Sequence, residues 1–181
     1  MPDKEIVEHC SPTLAGLKTA NLFSVKLEKG RNIVKELRDL NATIRKKGLR
    51  AVPVRCTKTY VLVYLYRPER LKKDLNDPEA RELLCNMGYD CSSPERCLAQ
   101  LVSHLTNDES FPHEIGLFLG YPPIDVKGFM NDTRGGVKCS GCWKVYGNEK
   151  EAKKTFKRYK KCTDNYRLAL SKGHSLLQLI V

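Results

Sequence analysis

Eight cysteines and four histidines are the side chains with the widest chemical range in this sequence. The segment His9-Cys10-Ser11-Pro12-Thr13 is the first place where they meet. A thiolate is the nucleophilic form of cysteine, and a nearby imidazolium or a run of exposed backbone N–H groups lowers its pKa. The small, turn-forming residues after Cys10 could offer such N–H groups to an anion. Neighbours in an extended segment point to opposite faces, so His9 need not touch Cys10. Cys10 is therefore a candidate nucleophile with His9 beside it, or else a buried cysteine in a tight turn.

Cys139-Ser140-Gly141-Cys142 has the spacing of a dithiol or of half a metal site. The sequence holds no second C-x-x-C, so a zinc or iron site there needs ligands brought by the fold, with Cys162 foremost and Cys10, His9 and His113 as further options. Trp143-Lys144-Val145-Tyr146 continues as a strand, which argues against a thioredoxin-like motif; the plain alternative is a turn with two incidental thiols. In Phe111-Pro112-His113-Glu114, the His113/Glu114 pair offers an acid and a base, or two ligands. It reads equally well as a helix start, where Glu114 favours the dipole. Cys85, Cys91 and Cys97 fit no common zinc or iron–sulfur spacing; Cys85 and Cys97 are expected to pack, as is Cys56. His104 and His174 have no partner that sequence names.

A different chemistry is suggested by charge. The net charge is +11 and is concentrated: residues 26–58 carry 11 basic and 3 acidic side chains, and residues 144–172 carry 10 and 3. Lys153, Lys154, Lys157, Arg158 and Lys161 crowd one helical segment and are candidate anion-binding residues for nucleic acid or a phosphorylated ligand. A solvated helix face explains the same residues without a partner.

The elements that must position these groups follow from periodicity. Ile33, Leu37, Leu40 and Ile44 predict a helix stopped by Gly48. Residues 17–25, 49–56 and 59–66 read as strands, the last two as a hairpin. The strand 59–66 is apolar on both faces and belongs in the middle of its sheet, whereas Pro53 confines 49–56 to an edge or a bulge. Asp77-Pro78, Ser92 with Glu95, Pro122-Pro123 and Asn148 with Glu151 mark four further helix starts. The tail after Gly173 is a last strand or a short helix. The expected fold is mixed α/β of the α+β kind: a small, mostly antiparallel sheet that includes the 49–66 hairpin, covered by five or six helices. One domain over 1–181 is the default for this length.

Several stretches together resemble a known family: HCSPTLAGLKTANLF at 9–23, FPHEIGLFLGYP at 111–122, DVKGF at 125–129, WKVYG at 143–147 and YKKC at 159–162. The family is bacterial, common in anaerobes, and carries no established activity. The resemblance covers nearly the whole chain and implies a stand-alone cytoplasmic protein of about this length. It also implies an aromatic residue at the position of Cys142, which argues against a paired role for Cys139 and Cys142.

No secretory signal is visible in MPDKEIVEHC, and the apolar run Tyr60–Tyr66 is far short of a membrane span. The expectation is a cytoplasmic protein with reduced thiols and no membrane partner. Two functional readings follow. One is a cysteine-dependent protein centred on Cys10, doing thiol chemistry or holding zinc or iron. The other is a non-catalytic module for an anionic partner, using the basic helix over 149–172 and residues 26–58.

Overall fold

In the computed structural model, the residues described are 1–107, 110–132 and 135–181. The elements in chain order are α1 (Asp3–Leu14), β1 (Ala20–Lys26), α2 (Ile33–Ile44), β2 (Arg50–Cys56), β3 (Tyr60–Tyr66), α3 (Pro68–Leu75), α4 (Pro78–Asn86), α5 (Pro94–Asn107), α6 (Ile115–Phe118), α7 (Pro123–Asn131), β4 (Cys139–Ser140), β5 (Lys144–Val145), α8 (Glu149–Ser171) and α9 (Leu176–Leu179). The class is mixed α+β, with one three-stranded antiparallel sheet and one two-stranded sheet. The chain divides into two compact units: Met1–Arg70 with Tyr159–Val181, and Leu71–Arg158.

In the first unit the strand order is β1-β3-β2. The central place goes to YVLVYLY, whose inner residues are buried on both faces, as a strand without a polar face requires. Pro53 lies on the edge strand, and the register slips between Pro53 and Arg55, because proline has no N–H for a ladder. One core joins Ile6, Cys10 and Leu14 of α1 with Leu37, Leu40 and Ile44 of α2 and with Val61, Val63 and Leu65 of β3. Each such side chain contributes about 1.5–3 kcal/mol by leaving water. Gly48 ends the turn after α2 at φ +74°, where a Cβ would be strained.

Helix α1 corrects an expectation, because 9–13 is neither extended nor a turn. Ile6, Cys10 and Leu14 recur at helical spacing, and Asp3 and Glu5 favour the helix N-terminus. Pro12 disguised this pattern, yet it sits in the last turn, where the Ser11 hydroxyl donates to the Val7 carbonyl at 2.5 Å. The last carbonyls of α1 are received by Arg67, whose Nε donates to Thr13 O and whose Nη2 donates to Leu14 O, both at 2.7 Å. Helix count is a second correction. Among the described residues nine helices are present rather than five or six. Besides α1, the helix without a sequence expectation is the eight-residue α3, while the helix start expected at Glu114 opens the four-residue α6. The tail resolves as the four-residue α9.

In the second unit Asp77 caps α4 by accepting from the backbone N–H groups of Glu79 and Ala80. The cap of α5 is Ser93, one residue later than read: its Oγ accepts from Arg96 N, while Ser92 N donates to Asp90. Helix α7 packs against α4, α6 and β5. The small hairpin pairs Cys139 with Val145 and Ser140 with Lys144. Gly141 turns it against Phe156, so closely that a Cβ would lie 2.3 Å from the ring. Among the described residues no helix is long and apolar enough to cross a membrane.

Candidate ligand-binding site

The unit Leu71–Arg158 contains a half-open cavity of about 400 Å³. Aromatic side chains from four places wall it: Phe111, Tyr121, Phe129 and Trp143, with His113 among them. Pro123 starts α7, and its next turns carry Asp125 and Phe129 to the cavity side. The hairpin delivers Trp143 and Lys144. The indole of Trp143 stacks on Tyr121 at 4.8 Å between centroids and meets the edge of Phe156 at 4.6 Å. His113 stands edge-on to Phe129 at 4.9 Å. The Lys144 ammonium lies 5.1 Å from the Phe129 centroid, a cation–π distance.

One carboxylate braces this wall. Asp125 is 3% exposed. Its Oδ2 accepts from the Trp143 indole N–H at 2.7 Å, and its Oδ1 accepts from Tyr146 N at 2.8 Å and Gly147 N at 2.7 Å. Three donors on a buried charge satisfy it locally. Two glycines permit the approach of the chain segments: a Cβ on Gly128 would lie 2.4 Å from Tyr146, and one on Gly147 would lie 2.7 Å from Ile124. Loss of water around the Tyr146 hydroxyl, and then the hydrogen bond it donates to Asp132, push that phenol up to about 12.

His113 and Glu114 are neighbours in sequence with different destinations. Glu114, 5% exposed, accepts from the Tyr89 hydroxyl at 2.7 Å, and that hydroxyl also lies 3.0 Å from His104 Nδ1. His104 thus gains the partners that sequence did not name. The His113 ring faces the cavity, so the two residues do not form an acid–base pair with each other.

The cysteine candidates fall as follows. All eight are free thiols. Cys10 is fully buried in the core of the first unit, and burial raises its pKa strongly, the reverse of what a nucleophile needs. His9 turns aside and stacks on Phe23 at 5.4 Å. The helix separates the two by about 100° of rotation. Cys139 is half-buried and Cys142 exposed in the hairpin; Cys162 is buried in the other unit, where burial raises its pKa. Among the described residues no group of three or more histidine, cysteine or acidic side chains is placed to hold a metal ion.

Three further cysteines lie in and between α4 and α5. Cys85 lies near the end of α4 and Cys97 in the first turn of α5, with Cys91 between them in sequence; the Cys91 thiol donates to the Arg81 carbonyl at 3.9 Å and the Cys97 thiol to the Asp90 carbonyl at 3.3 Å. Burial and the neighbouring Cys85 and Cys97 push Cys91 up to about 12.

The basic helix is partly self-neutralised. Lys153 pairs with Glu149 at 2.5 Å and Lys154 with Glu151 at 2.7 Å. Lys157, Arg158 and Lys161 are exposed. Exposed pairs of this kind add little stability.

Sequence reasoning had the cavity residues in hand without seeing that they converge. Every lining residue falls within 111–122, 125–129 or 143–147, three of the stretches that carry the family resemblance. The contact between Asp125 and Trp143 spans 18 positions and has no local signature. Neither the curated proteins nor the solved structures include a match to the chain. One family model, described as protein of unknown function (DUF3793), matches residues 6–180, and the chain belongs to that family.

Proposed function

We propose that the protein is a binding protein for a small, flat, ring-containing ligand with an anionic group, held in the aromatic cavity of the unit Leu71–Arg158. The observation that carries this is the cavity itself: about 400 Å³, walled by Phe111, Tyr121, Phe129 and Trp143, with Lys144 at its rim. Ligand sites are typically apolar hollows of about 300–1,000 Å³ with a few placed polar groups. Flat walls favour a flat guest, by stacking. Asp125 is engaged by three N–H groups, which leaves the Lys144 ammonium and the His113 imidazole as the polar groups for a ligand. Their chemistry selects an anion. The eight free thiols favour a cytoplasmic setting.

Trp143 is the only tryptophan, so its fluorescence reports the site directly. Titration with aromatic carboxylates and their uncharged amides should quench or shift Trp143 emission only for the acids. Lys144→Ala, a change at an exposed position, should weaken the acids and spare the fold. Preference for ammonium-bearing rings, or unchanged affinity in Lys144→Ala, would overturn the reading.

A further inference from the structure

The first unit carries a groove that the proposed ligand site does not use. It lies between α2 and the edge strand β2 and has a volume of about 410 Å³. Arg38 and Arg45 reach it from α2 and the turn that follows, seven positions apart and so on one helical face. Arg50 reaches it from the start of β2. The Arg50 guanidinium is oriented by a hydrogen bond from Nη1 to the Leu49 carbonyl at 2.9 Å. Among the described residues no carboxylate lines the groove. Of the two acids on α2, Glu36 is engaged by Arg31 and by the N-terminal ammonium, and Asp39 is exposed and outside the groove lining. Arg38 and Arg45 are exposed and have no carboxylate partner among the described residues.

The walls are fixed and chemically selective. Asn41 lies between Arg38 and Arg45 and clamps the strand edge: its Nδ2 donates to Ala51 O at 2.7 Å, and its Oδ1 accepts from Ala51 N at 3.0 Å. Pro53 follows and has no N–H. The edge therefore offers a peptide no continuous ladder to pair with. The floor is Ala42, Ala51 and Val52, with no aromatic ring on which a base could stack. What remains is three guanidinium forks over a shallow apolar floor, the chemistry that recognises phosphate oxygens.

We propose that the Arg38–Arg45–Arg50 groove binds adjacent phosphate groups, as found in free pyrophosphate or along a nucleic-acid backbone. Three guanidiniums match the charge of two linked phosphates better than that of one. The site is separate from the aromatic cavity, and its success or failure leaves that reading untouched.

The test uses the full chain at low salt, with sodium pyrophosphate in calorimetry and a mixed-sequence single-stranded RNA oligonucleotide in fluorescence polarisation. The variants are Arg38→Gln/Arg45→Gln in the groove and Lys157→Gln/Lys161→Gln on α8. Both pairs lie at exposed positions and remove two charges, so net charge is matched. Binding of either probe that weakens at least tenfold in the arginine variant and little in the lysine variant supports the proposal. For the single-stranded RNA, the slope of log K against log salt should also fall in magnitude by about 1.4 in the arginine variant. Pyrophosphate alone binding identifies a free phosphate ligand; RNA binding far more tightly identifies the backbone. No binding of either probe, equal losses in both variants, or unchanged binding in the arginine variant would overturn it.

Discussion

Asp125→Ala is expected to cost more stability than any other single change near the cavity. The carboxylate is buried and accepts three hydrogen bonds at 2.7–2.8 Å, from the Trp143 indole and from Tyr146 N and Gly147 N. A bond to a charged acceptor contributes about 1.5–3 kcal/mol, so three dry ones would set a ceiling of about 4.5–9 kcal/mol. The donors sit on half-buried residues, so water recovers part of each bond. The expected loss is about 3–5 kcal/mol, a large share of a typical total of about 5–15. Asp125→Asn should fall between: its carbonyl still serves the two backbone donors, but its NH2 then faces the indole N–H, for a loss of about 2 kcal/mol. Urea titration followed by Trp143 fluorescence reads this unit, with a midpoint shift of about 1.5–3 M for the alanine variant at ordinary urea sensitivity. A loss below about 1 kcal/mol for Asp125→Ala, no more than one ordinary hydrogen bond, would refute the bracing role. So would an Asn variant as unstable as the Ala variant.

Three further outcomes are expected. Under native conditions alkylation should modify Cys56, Cys85 and Cys142 first and Cys10 last, since the first three are exposed and Cys10 is fully buried; peptide mapping that finds Cys10 labelled as fast as Cys56 would contradict its place in the core. Arg67→Met removes the guanidinium bonds to Thr13 O and Leu14 O and should lower the melting temperature by about 5–10 °C, with Arg67→Lys recovering less than half, because one ammonium cannot reproduce the fork. Asp90 accepts from Ser92 and from Arg96, and these bonds hold its carboxyl down at about 2 against an ordinary 3.8. A depressed folded pKa stabilises above the ordinary value and is lost as pH falls through the folded one, so the melting-temperature gap between wild type and Asp90→Asn should hold above pH 3.8 and close toward about 2.

The sequence alone determined what local rules govern. The strand 60–66 is central because it has no polar face, β2 is an edge because Pro53 lacks a donor, and Asp77, Asn148 and Gly48 bound their helices by cap chemistry. Where local rules conflict, they misled. Pro12 hid α1, although Ile6, Cys10 and Leu14 kept helical spacing, and that hidden helix is what buries Cys10 and turns His9 toward Phe23. Tertiary structure decided the rest, because it rests on contacts between residues far apart in the chain. Asp125 reaches Trp143 across 18 positions, and Tyr89 reaches Glu114 across 25. The turns between them carry no signal of where their ends will meet. Sequence could name the aromatic rings, the arginines and the thiols; only the packing of α6, α7 and the hairpin made a cavity of the rings, and only the clamp of Asn41 on Ala51 fixed the groove that the arginines line.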